Sequence, residues 1–383
     1  MTPSLRIEMV LPSLIAGGME VVTARLVKRL VRRGHTVGVT CILEEGPLAE
    51  ELRREGIRVK LVPAPGLRTN VFPTELAAWL RQVAPDVVHI HSGVWLKAAR
   101  AARMAGVRRV VFTEHGALDV EPWYSSLIKR QAVRFTDAVI SVSEPLARVL
   151  TETHGLPANK VFVLPNGVDA DLFSPGPSRD LLSAWGIGHE ALVIGHVARL
   201  APIKNQPLLL EAFARVVQDR PAARLVIVGD GPERPLLERR IAELGLAGTA
   251  HLIGEHRDVP GLLRSFTMFV LPSKAEGTSM SVLEAMAAGV PVVASAVGGT
   301  PALLDDGRCG QLVPANDVAA LADAIIGLLD DHERRRMYST AARQRVMQYY
   351  DEQAVSDQYE SVYVGAATAP GQRAAREEVP CAG

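Results

Sequence analysis

The chain is poor in the residues that build cross-links and base-stacking surfaces. It has three cysteines in 383 residues, Cys41, Cys309 and Cys381, and their spacing matches neither a metal site nor a redox motif. The sequence therefore predicts no disulfide framework and favours a reducing compartment. Aromatic residues make up 5% of the chain and the net charge is zero, so the composition does not favour a nucleic-acid-binding protein.

Long apolar runs are also missing. No run approaches the roughly 18 residues that a membrane-spanning helix needs. Arg6 and Glu8 interrupt the first apolar stretch, so we expect no secretory signal. With 48% apolar and 22% charged residues, the composition is typical of a compact enzyme, and we expect it in the cytoplasm. A chain of 383 residues exceeds what one hydrophobic core usually supports, which predicts two domains.

The charges balance overall but are unevenly shared. Residues 1–170 carry 22 Lys and Arg against 16 Asp and Glu, and residues 171–383 carry 20 against 26. Basic side chains gather on two predicted helices, as Arg25, Lys28, Arg29, Arg32 and Arg33, and as Lys97, Arg100, Arg103, Arg108 and Arg109. Two interpretations stay open: contact with an anionic membrane or a phosphorylated acceptor, or two solvated helix faces.

Short β-rich apolar runs alternate with helical stretches along the whole chain. This alternation predicts an α/β fold with two Rossmann-like parallel-sheet domains that face a cleft. The predicted domains span 1–170 and 171–350, with a Pro/Gly/Ser-rich linker at 174–178. Residues 351–365 predict a helix that packs back on the first domain, and residues 366–383 predict a disordered tail.

One segment, 276–289, carries the strongest functional signal. A strand-like run precedes it, and residues 282–288 predict a helix that ends at Gly289. The free N–H groups at the start of such a helix favour phosphate. Glu276 before the helix and Glu284 inside it are acceptor-only groups that suit hydroxyls on either side of a phosphate. The pattern suits a nucleotide sugar, and the alternative is an ordinary surface loop with a solvated helix.

Two cations lie where further phosphate contacts are expected. Arg199 and Lys204 follow a predicted buried strand, 192–196, in a loop before a helix. Arginine can bind a diphosphate in bidentate fashion, and both cations would neutralise charge on a departing diphosphate. The alternative is a pair of loop cations in water.

Two weaker candidates follow strands in the first half of the chain. Gly17 and Gly18 link the first strand to the first helix and allow a phosphate to approach the backbone, although a tight turn is the alternative. His115 ends a strand, where active-site groups gather, and a structural role is the alternative. Its neighbour Glu114 would orient the ring or face solvent.

Three other patterns are not interpreted as sites. Asp169 and Asp171 follow Pro-Asn-Gly, where a turn is the better explanation. The segment 229–232 follows a strand but lacks the third glycine of a nucleotide loop. His89 and His91 alternate on one strand with no third type of ligand nearby. We therefore predict no bound metal and no cofactor.

Taken together, these segments resemble the family-4 retaining glycosyltransferases of the GT-B fold. The resemblance spans nearly the whole chain and rests on Gly17-Gly18, His115, Pro165-Asn166-Gly167-Val168-Asp169, Arg199 with Lys204, the Gly254 turn, and the segment from Glu276 to Glu284. The run Thr113-Glu114-His115-Gly116 is similar to bacterial exopolysaccharide sugar transferases of this group.

The resemblance implies a role for each residue of the predicted site. Arg199 and Lys204 would hold the pyrophosphate of the donor, Glu276 the transferred sugar and Glu284 the ribose, with His115 near the acceptor and the sugar. The predicted catalytic group is therefore His115, Glu276, Arg199 and Lys204. The other predicted donor contacts are Gly17, Gly18, Gly254, Arg257, Thr278, Ser279, Met280 and Ser281. Thr278 and Ser279 depart from the family pattern, in which an aromatic residue and Gly or Pro are common, and would add a hydrogen bond to a sugar hydroxyl.

The resemblance implies a retaining, metal-independent transferase that moves a sugar from a nucleotide-diphosphate donor to a lipid-linked or saccharide acceptor. Its expected setting is exopolysaccharide or cell-envelope glycan synthesis, in the cytoplasm or peripherally on the inner face of the cytoplasmic membrane. Three alternatives stay open. These are a sugar-nucleotide epimerase or sugar phosphorylase on the same fold, an inactive nucleotide-sugar-binding protein, and a Rossmann dehydrogenase, against which the missing Gly-X-Gly-X-X-Gly loops count.

Overall fold

A computed structural model describes residues 4–15, 17–66, 68–116, 124–177, 181–188 and 190–366. The chain forms two compact bodies. The first runs to Asn166 and resumes at Gln353, and the second comprises Gly167–Glu352. The predicted disordered tail, 366–383, lies outside the described residues from 367 onward.

The first body is a parallel sheet covered by helices. Its strands are β1 (Arg6–Leu11), β2 (Thr36–Cys41), β3 (Arg58–Leu61), β4 (Val87–His91), β5 (Arg109–Glu114), β6 (Ala138–Ser141) and β7 (Val161–Val163), paired in the order β3-β2-β1-β4-β5-β6-β7. Its helices are α1 (Gly18–Arg32), α2 (Pro47–Arg54), α3 (Arg68–Val71), α4 (Thr74–Val83), α5 (Trp95–Met104), α6 (Ser125–Ala132) and α7 (Glu144–Arg148). The first body also contains short 3₁₀ helices at Val133–Phe135 and Ala158–Lys160 and a short π-helix at Val149–Thr153.

The second body repeats this plan. Its strands are β8 (Leu192–Val197), β9 (Ala223–Val228), β10 (Ala250–Gly254), β11 (Met268–Leu271), β12 (Val292–Ser295) and β13 (Gln311–Val313), in the order β10-β9-β8-β11-β12-β13. Its helices are α8 (Gln206–Asp219), α9 (Arg234–Glu243), α10 (Val259–Arg264), α11 (Met280–Ala287), α12 (Thr300–Leu303), α13 (Val318–Asp330) and α14 (His332–Arg345), followed by a π-turn at Val346–Tyr350. Short 3₁₀ turns lie at Ser183–Trp185, Pro202–Lys204 and Asp305–Gly307.

Both sheets are buried on both faces, as parallel sheets require. The central strand β4 is buried at every residue, and two separate apolar clusters pack on the sheet in each body. The structure therefore confirms the prediction of two Rossmann-like parallel-sheet domains. Because all strands in a sheet run the same way, their carboxyl ends meet at one edge, which is where the predicted site residues lie.

The last helix, α15 (Glu352–Tyr363), packs on the first body, as predicted. Val355, Tyr359 and Tyr363 join the core cluster that contains strands β1 and β2. Glu360 is 4% exposed and accepts hydrogen bonds from both the Nε and Nη2 groups of Arg33. The Leu5 N–H donates to His35 Nδ1 at 3.1 Å, so the proton of a neutral His35 lies on Nε2, which then donates to Glu360 Oε1 at 3.1 Å.

Removing this buried carboxylate should loosen α15. We expect Glu360→Ala to lower the free energy of unfolding by roughly 2–4 kcal/mol, because it leaves the Arg33 and His35 donors without their acceptor. Asp357→Ala is the matched control, since Asp357 pairs with the same arginine but its side chain is 56% exposed, and we expect a loss below about 1 kcal/mol. Urea denaturation followed by circular dichroism measures both. Equal losses in the two variants would contradict this account of the helix contact.

Many cations of the two basic clusters are engaged within the first body. Lys28 forms ion pairs with Glu51 and Glu55, and Arg33 pairs with Glu360. On α5 and beyond, the bases mainly bind main-chain carbonyl groups: Lys97 binds Ala64, Arg100 binds Asn70, Arg103 binds Phe135 and Arg109 binds Val362. These side chains therefore stabilise the fold. In the described part of the chain, no helix is both long and apolar enough to span a bilayer.

Candidate functional site

In the second body, the loops that follow β8 and β11 are joined by a partly buried ion pair. Lys204 Nζ lies 2.6 Å from Glu276 Oε1, and Ser273 Oγ donates to the same oxygen at 2.6 Å. The Glu276 side chain is 7% exposed and the Lys204 side chain 24%. The Lys274 N–H also donates to the Ile203 carbonyl at 2.8 Å. The structure thus brings together two residues that the sequence singled out separately.

The helix that follows this carboxylate begins two residues before the predicted run of 282–288. Ser279 is extended and the first helical residue of α11 is Met280, and the Ser279 side chain does not cap the helix. Ser279 and Thr278 are 4% and 8% exposed, and Ser279 Oγ lies 3.4 Å from Ser281 Oγ. Glu284, in the second turn, is half-buried. The first N–H groups of this helix are therefore not taken up by the preceding serine hydroxyl, as expected of an anion-binding helix start.

A pair of glycines that the sequence analysis missed supports Glu276. Gly298 and Gly299 follow β12, and the Gly299 N–H donates to the carbonyls of Glu276 and Gly277 at 3.3 and 3.1 Å. Gly298 has φ +52°, and a Cβ there would lie 1.8 Å from the Glu276 carbonyl oxygen. Only glycine fits this backbone and this approach. The signal that could have found it is a Gly-Gly turn directly after a buried strand.

Gly298→Ala should therefore disturb the loop that carries Glu276. We expect it to lower the free energy of unfolding by about 2 kcal/mol or more, from the left-handed backbone and the displaced carbonyl together. Gly327→Ala is the control, because Gly327 lies inside α13 with open space around it, and alanine there should stabilise by about 0.5–1 kcal/mol. Chemical denaturation of the two variants measures the difference. An unchanged free energy of unfolding in Gly298→Ala would show that the loop moves freely.

The loop that carries Arg199 rests on a second glycine turn. Gly229 and Gly231 have φ of +126° and +155°. A Cβ on Gly229 would lie 2.1 Å from the Ala198 carbonyl oxygen, and a Cβ on Gly231 would lie 2.4 Å from the Leu200 carbonyl oxygen. The Leu200 N–H donates to the Asp230 carbonyl at 2.9 Å. The sequence predicts no nucleotide loop at residues 229–232, because the third glycine is missing. The structure shows that these residues support the loop that carries Arg199.

A buried histidine ties the same loop to the sheet. His196 Nδ1 lies 2.8 Å from the Val270 carbonyl, so it carries the proton, and Nε2 accepts from the Gln206 amide at 3.3 Å. The Gln206 amide also donates to the Arg199 carbonyl at 3.0 Å. Burial lowers the pKa of His196 to about 4, so the ring is neutral at pH 7. The main chain at Arg199 is thereby fixed, while the Arg199 side chain is exposed.

Two further predicted residues lie at the end of β10. Gly254 has φ +76° and its carbonyl accepts from the Gly229 N–H at 2.8 Å, which places it beside the turn that supports Arg199. Arg257 is exposed, in the loop before α10. Asp258 caps that helix by accepting from the Gly261 N–H at 2.8 Å.

In the first body, the glycine turn after β1 starts α1. Gly17 is extended and its carbonyl accepts from the Val21 N–H at 3.0 Å, and Gly18 is the first helical residue. A Cβ on Gly17 would lie 2.5 Å from Glu20 Oε2, so the Glu20 carboxylate occupies the space over this turn. Burial raises the pKa of Glu20. A phosphate at Gly17 would have to displace that carboxylate.

His115 follows β5 and belongs to a stack of three histidines. His91 Nδ1 lies 2.8 Å from His115 Nε2, and the two rings stack with centroids 5.1 Å apart. His89 also packs against His91, with ring centroids 4.4 Å apart. Burial lowers the pKa of His115 to about 4 and that of His89 to about 3. The sequence analysis named His89 and His91 only as rejected metal ligands, and the structure shows that they support His115.

Glu114 neither faces solvent nor stands alone. It is 7% exposed, accepts from Ser92 Oγ at 2.5 Å and lies 3.8 Å from Lys129 Nζ. Ser92 Oγ also accepts from the His115 N–H at 3.1 Å. Of the two roles expected for Glu114, exposure to solvent is therefore wrong, and the residue holds the main chain at His115 through Ser92. Within the described residues, no group of three or more His, Cys, Asp or Glu is arranged to hold a metal ion.

Comparison with known proteins assigns the family. Residues 16–172 match the model "Glycosyltransferase Family 4", and residues 179–345 match "Glycosyl transferases group 1". A D-inositol 3-phosphate glycosyltransferase of Geodermatophilus obscurus is 32% identical over 94% of this chain and 88% of the relative. An N-acetyl-alpha-D-glucosaminyl L-malate synthase of Bacillus anthracis is 29% identical over 91% of this chain and 93% of the relative.

Solved structures agree on the fold. Anabaena HepE in complex with UDP superposes with a TM-score of 0.83 at 23% identity, over 94% of this chain and all of the other. A glycosyltransferase from Rickettsia africae superposes with a TM-score of 0.84 at 20% identity, over 95% of this chain and 98% of the other. Two parallel-sheet bodies, two matching family models and a relative of this identity and coverage establish that the chain belongs to the family-4 glycosyltransferases of the GT-B fold.

Proposed function

We propose that this glycosyltransferase is a retaining enzyme that moves a sugar from a nucleotide-diphosphate donor to a lipid-linked or saccharide acceptor. The observation that carries the proposal is the partly buried pair of Lys204 and Glu276, in which Glu276 lies in the loop that leads into α11. A cation, a carboxylate and a helix start in one place offer contacts for a phosphate and for sugar hydroxyls.

The donor diphosphate is assigned to Arg199, Lys204 and the start of α11. Arg199 is exposed on a loop whose main chain is fixed, so its guanidinium is available to a ligand while its backbone is positioned in advance. Solved structures of Anabaena HepE hold UDP and UDP-glucose, which supports a uridine nucleotide among the donors to be tested.

Glu276 and Glu284 are assigned to the two hydroxyl-bearing ends of the donor. Lys204 and Ser273 hold one oxygen of Glu276, which leaves Oε2 to accept from a sugar hydroxyl. Glu284 lies in the second turn of α11 and is assigned to the ribose. Gly254 and Arg257, at the end of β10, are assigned to the base, and Thr278 and Ser281 to the sugar and phosphate. Gly17 and Gly18 keep the donor role predicted for them, with the Glu20 carboxylate as the obstacle.

The transfer is proposed to retain the anomeric configuration without a protein nucleophile and without a metal. The acceptor hydroxyl attacks on the face from which the diphosphate leaves, the sugar–phosphate bond breaks, and a diphosphate oxygen takes the hydroxyl proton. Lys204 and Arg199 stabilise the negative charge that develops on the diphosphate. Glu276 is a poor candidate for a nucleophile because one of its oxygens is already held by an ammonium and a hydroxyl.

The acceptor has two candidate classes. The Thr113-Glu114-His115-Gly116 run supports a saccharide or lipid-linked acceptor in exopolysaccharide or cell-envelope glycan synthesis. Two relatives favour a second candidate, a small anionic alcohol, since one is an N-acetyl-alpha-D-glucosaminyl L-malate synthase and another a D-inositol 3-phosphate glycosyltransferase. Contact of the first body with an anionic membrane stays a prediction, and the ion pairs on α1 leave less free charge for it than the sequence suggested.

A transfer assay tests the proposal. The purified enzyme is incubated with UDP-, GDP-, ADP- and dTDP-sugars and with three acceptors: L-malate, inositol 3-phosphate and a polyprenyl-diphosphate-linked saccharide. Mass spectrometry detects the glycoside, and the proton coupling of its anomeric centre gives the configuration. A product that keeps the donor configuration supports the proposal, an inverted product contradicts it, and conversion of the donor sugar without any acceptor would favour the epimerase alternative.

A further inference from the structure

The histidine stack leaves two buried ring nitrogens without partners. Among the described residues, neither His91 Nε2 nor His115 Nδ1 has a hydrogen-bond partner, although both atoms are buried. All other polar contacts of these two rings run through one atom, His91 Nδ1, which lies 2.8 Å from His115 Nε2 and 3.3 Å from Thr23 Oγ1. The position of the single proton on each ring can therefore be worked out from this atom.

The hydroxyl of Thr23 decides where the proton of His91 lies. Thr23 Oγ1 donates its proton to the Met19 carbonyl at 2.8 Å, so it can only accept from His91. A proton on His91 Nδ1 then serves both contacts, donated mainly to His115 Nε2 and partly to Thr23 Oγ1. Since His115 Nε2 accepts, the one proton of a neutral His115 lies on Nδ1. The reverse arrangement would leave the contact between Thr23 and His91 without a proton.

We propose that His91 is a positioning residue that holds His115 in the Nδ1–H tautomer, so that His115 donates a hydrogen bond through Nδ1 to an oxygen of the substrate. The proposal rests on the transferase function, which supplies that oxygen as a hydroxyl of the acceptor or of the transferred sugar. His115 in this state has no free lone pair with which to remove a proton. The proposal therefore assigns His115 to hydrogen-bond donation and leaves the proton to the departing diphosphate.

The environment of the stack keeps both rings neutral. Burial holds the pKa of His91 well below its usual range and that of His115 at about 4, so at pH 7 each ring carries one proton.

The distance between His91 Nδ1 and His115 Nε2 also distinguishes this arrangement from a metal site. Two imidazole ligands of one tetrahedral zinc ion lie about 3.3 Å apart, farther than the 2.8 Å seen here.

The other side of the stack is anchored to α15. His89 Nδ1 lies 2.8 Å from the Tyr363 hydroxyl, and His89 Nε2 lies 2.7 Å from Thr113 Oγ1. Both ring nitrogens of His89 are thus occupied, and its ring packs against His91. The ring of His91 therefore packs against a histidine whose own position is fixed, and its Nδ1 is held by the hydrogen bond with His115. These two contacts fix the orientation of the His91 ring, as a positioning residue requires.

Nitrogen-15 NMR of the histidine rings tests this assignment without any activity measurement. In the wild-type protein we expect His115 to show a protonated Nδ1 and an unprotonated Nε2. His91→Phe keeps a flat ring in the stack but removes the donor, and we expect His115 to change to the Nε2–H tautomer that free histidine prefers. His91→Asn places an amide N–H near the position of Nδ1 and should restore the wild-type tautomer.

Thr23→Val tests the same argument, because it removes the hydroxyl that selects the proton on His91 Nδ1 and keeps the contact between His91 and His115. We expect the Nδ1–H form of His115 to lose population in this variant. In transfer assays we expect His91→Phe to lower kcat about tenfold with an unchanged donor KM, Thr23→Val to lower kcat by less, and His91→Asn to restore most of the wild-type rate. A wild-type His115 with its proton on Nε2, or an unchanged tautomer in His91→Phe, would overturn the proposal. If His91→Phe does not fold, the tautomer of the wild type and of His91→Asn decides. A failure to detect transfer would count against the proposed function alone, because the NMR result does not depend on it.

Discussion

Replacing Glu276 by alanine should stop sugar transfer while nucleoside-diphosphate binding survives. The carboxylate is assigned to the hydroxyls of the transferred sugar, so its loss removes the group that orients the reacting carbon. We expect kcat to fall by roughly 10²–10³-fold, the scale at which one positioned polar group acts in a dry site. Lys204 loses its carboxylate partner in this variant, and its free ammonium should bind the diphosphate at least as tightly as before. Isothermal titration with UDP and an initial-rate assay give the two values.

Ser273→Ala is the control for this prediction. It removes one of the two hydrogen bonds to Glu276 Oε1 but keeps the carboxylate and Lys204. We expect a loss of about tenfold in kcat, because a hydroxyl that donates to a carboxylate contributes roughly 1.5–3 kcal/mol and Lys204 still holds the same oxygen. Unchanged turnover in Glu276→Ala would refute its role with the sugar, and a loss of UDP binding in the same variant would move its role to the phosphate.

The second large effect is expected at Lys204. Its ammonium lies 2.6 Å from Glu276 Oε1 and is assigned to the charge that develops on the departing diphosphate. We expect Lys204→Ala to lower kcat/KM by roughly 10²–10³-fold and to weaken UDP binding as well, in contrast to Glu276→Ala. Steady-state kinetics and titration with UDP measure both effects.

A neighbouring lysine provides the matched control. Lys274 lies in the loop after β11, is exposed, and contacts the Lys204 turn through its main-chain N–H, so Lys274→Ala removes a nearby charge without touching the ion pair. We expect nearly wild-type kinetics from it. In the double variant of Lys204 and Glu276, the losses of stability should not add, because the two side chains contact each other. Equal losses in Lys204→Ala and Lys274→Ala would reduce the role of Lys204 to general electrostatics.

The architecture could be predicted because it depends on local patterns. Apolar runs of four to six residues alternate with amphipathic stretches, and this periodicity alone indicates parallel strands covered by helices. Helix α11 starts two residues before the predicted helical run, 282–288. The family resemblance drew attention to Lys204 and Glu276 for the same reason, since each lies in a recognisable local motif.

The contacts that hold the site together could not be predicted from those patterns. Lys204 and Glu276 are 72 residues apart, and their ion pair exists only because β8 and β11 are neighbours in the sheet. Gly298 lies in a Gly-Gly turn that the sequence shows, but the carbonyl that requires glycine there comes from a distant loop, which no local pattern reveals. His89 and His91 were rejected as metal ligands and given no other role, because a sequence does not show that His115 lies 2.8 Å from His91 in a hydrogen bond.

The sequence also did not reveal which basic side chains remain available on the helices. The sequence predicts cationic faces on α1 and α5, but several of these side chains bind carbonyls and carboxylates of the first body. Arg33 in particular holds the last helix through Glu360. A count of charges along a helix does not reveal which of them remain available, because acceptors come from segments far away in the chain.

Binding of a nucleoside diphosphate to the second body is the central claim, and a thermal-shift measurement tests it most directly. The wild-type protein, Arg199→Ala and Lys204→Ala are heated with increasing UDP, GDP, ADP or dTDP. A ligand that binds the folded state raises Tm with the logarithm of its concentration above Kd. We predict that at least one nucleotide raises the wild-type Tm and that this shift is lost in both variants. An equal shift in all three proteins would place the nucleotide elsewhere, and no shift with any of the four would contradict a preformed donor site.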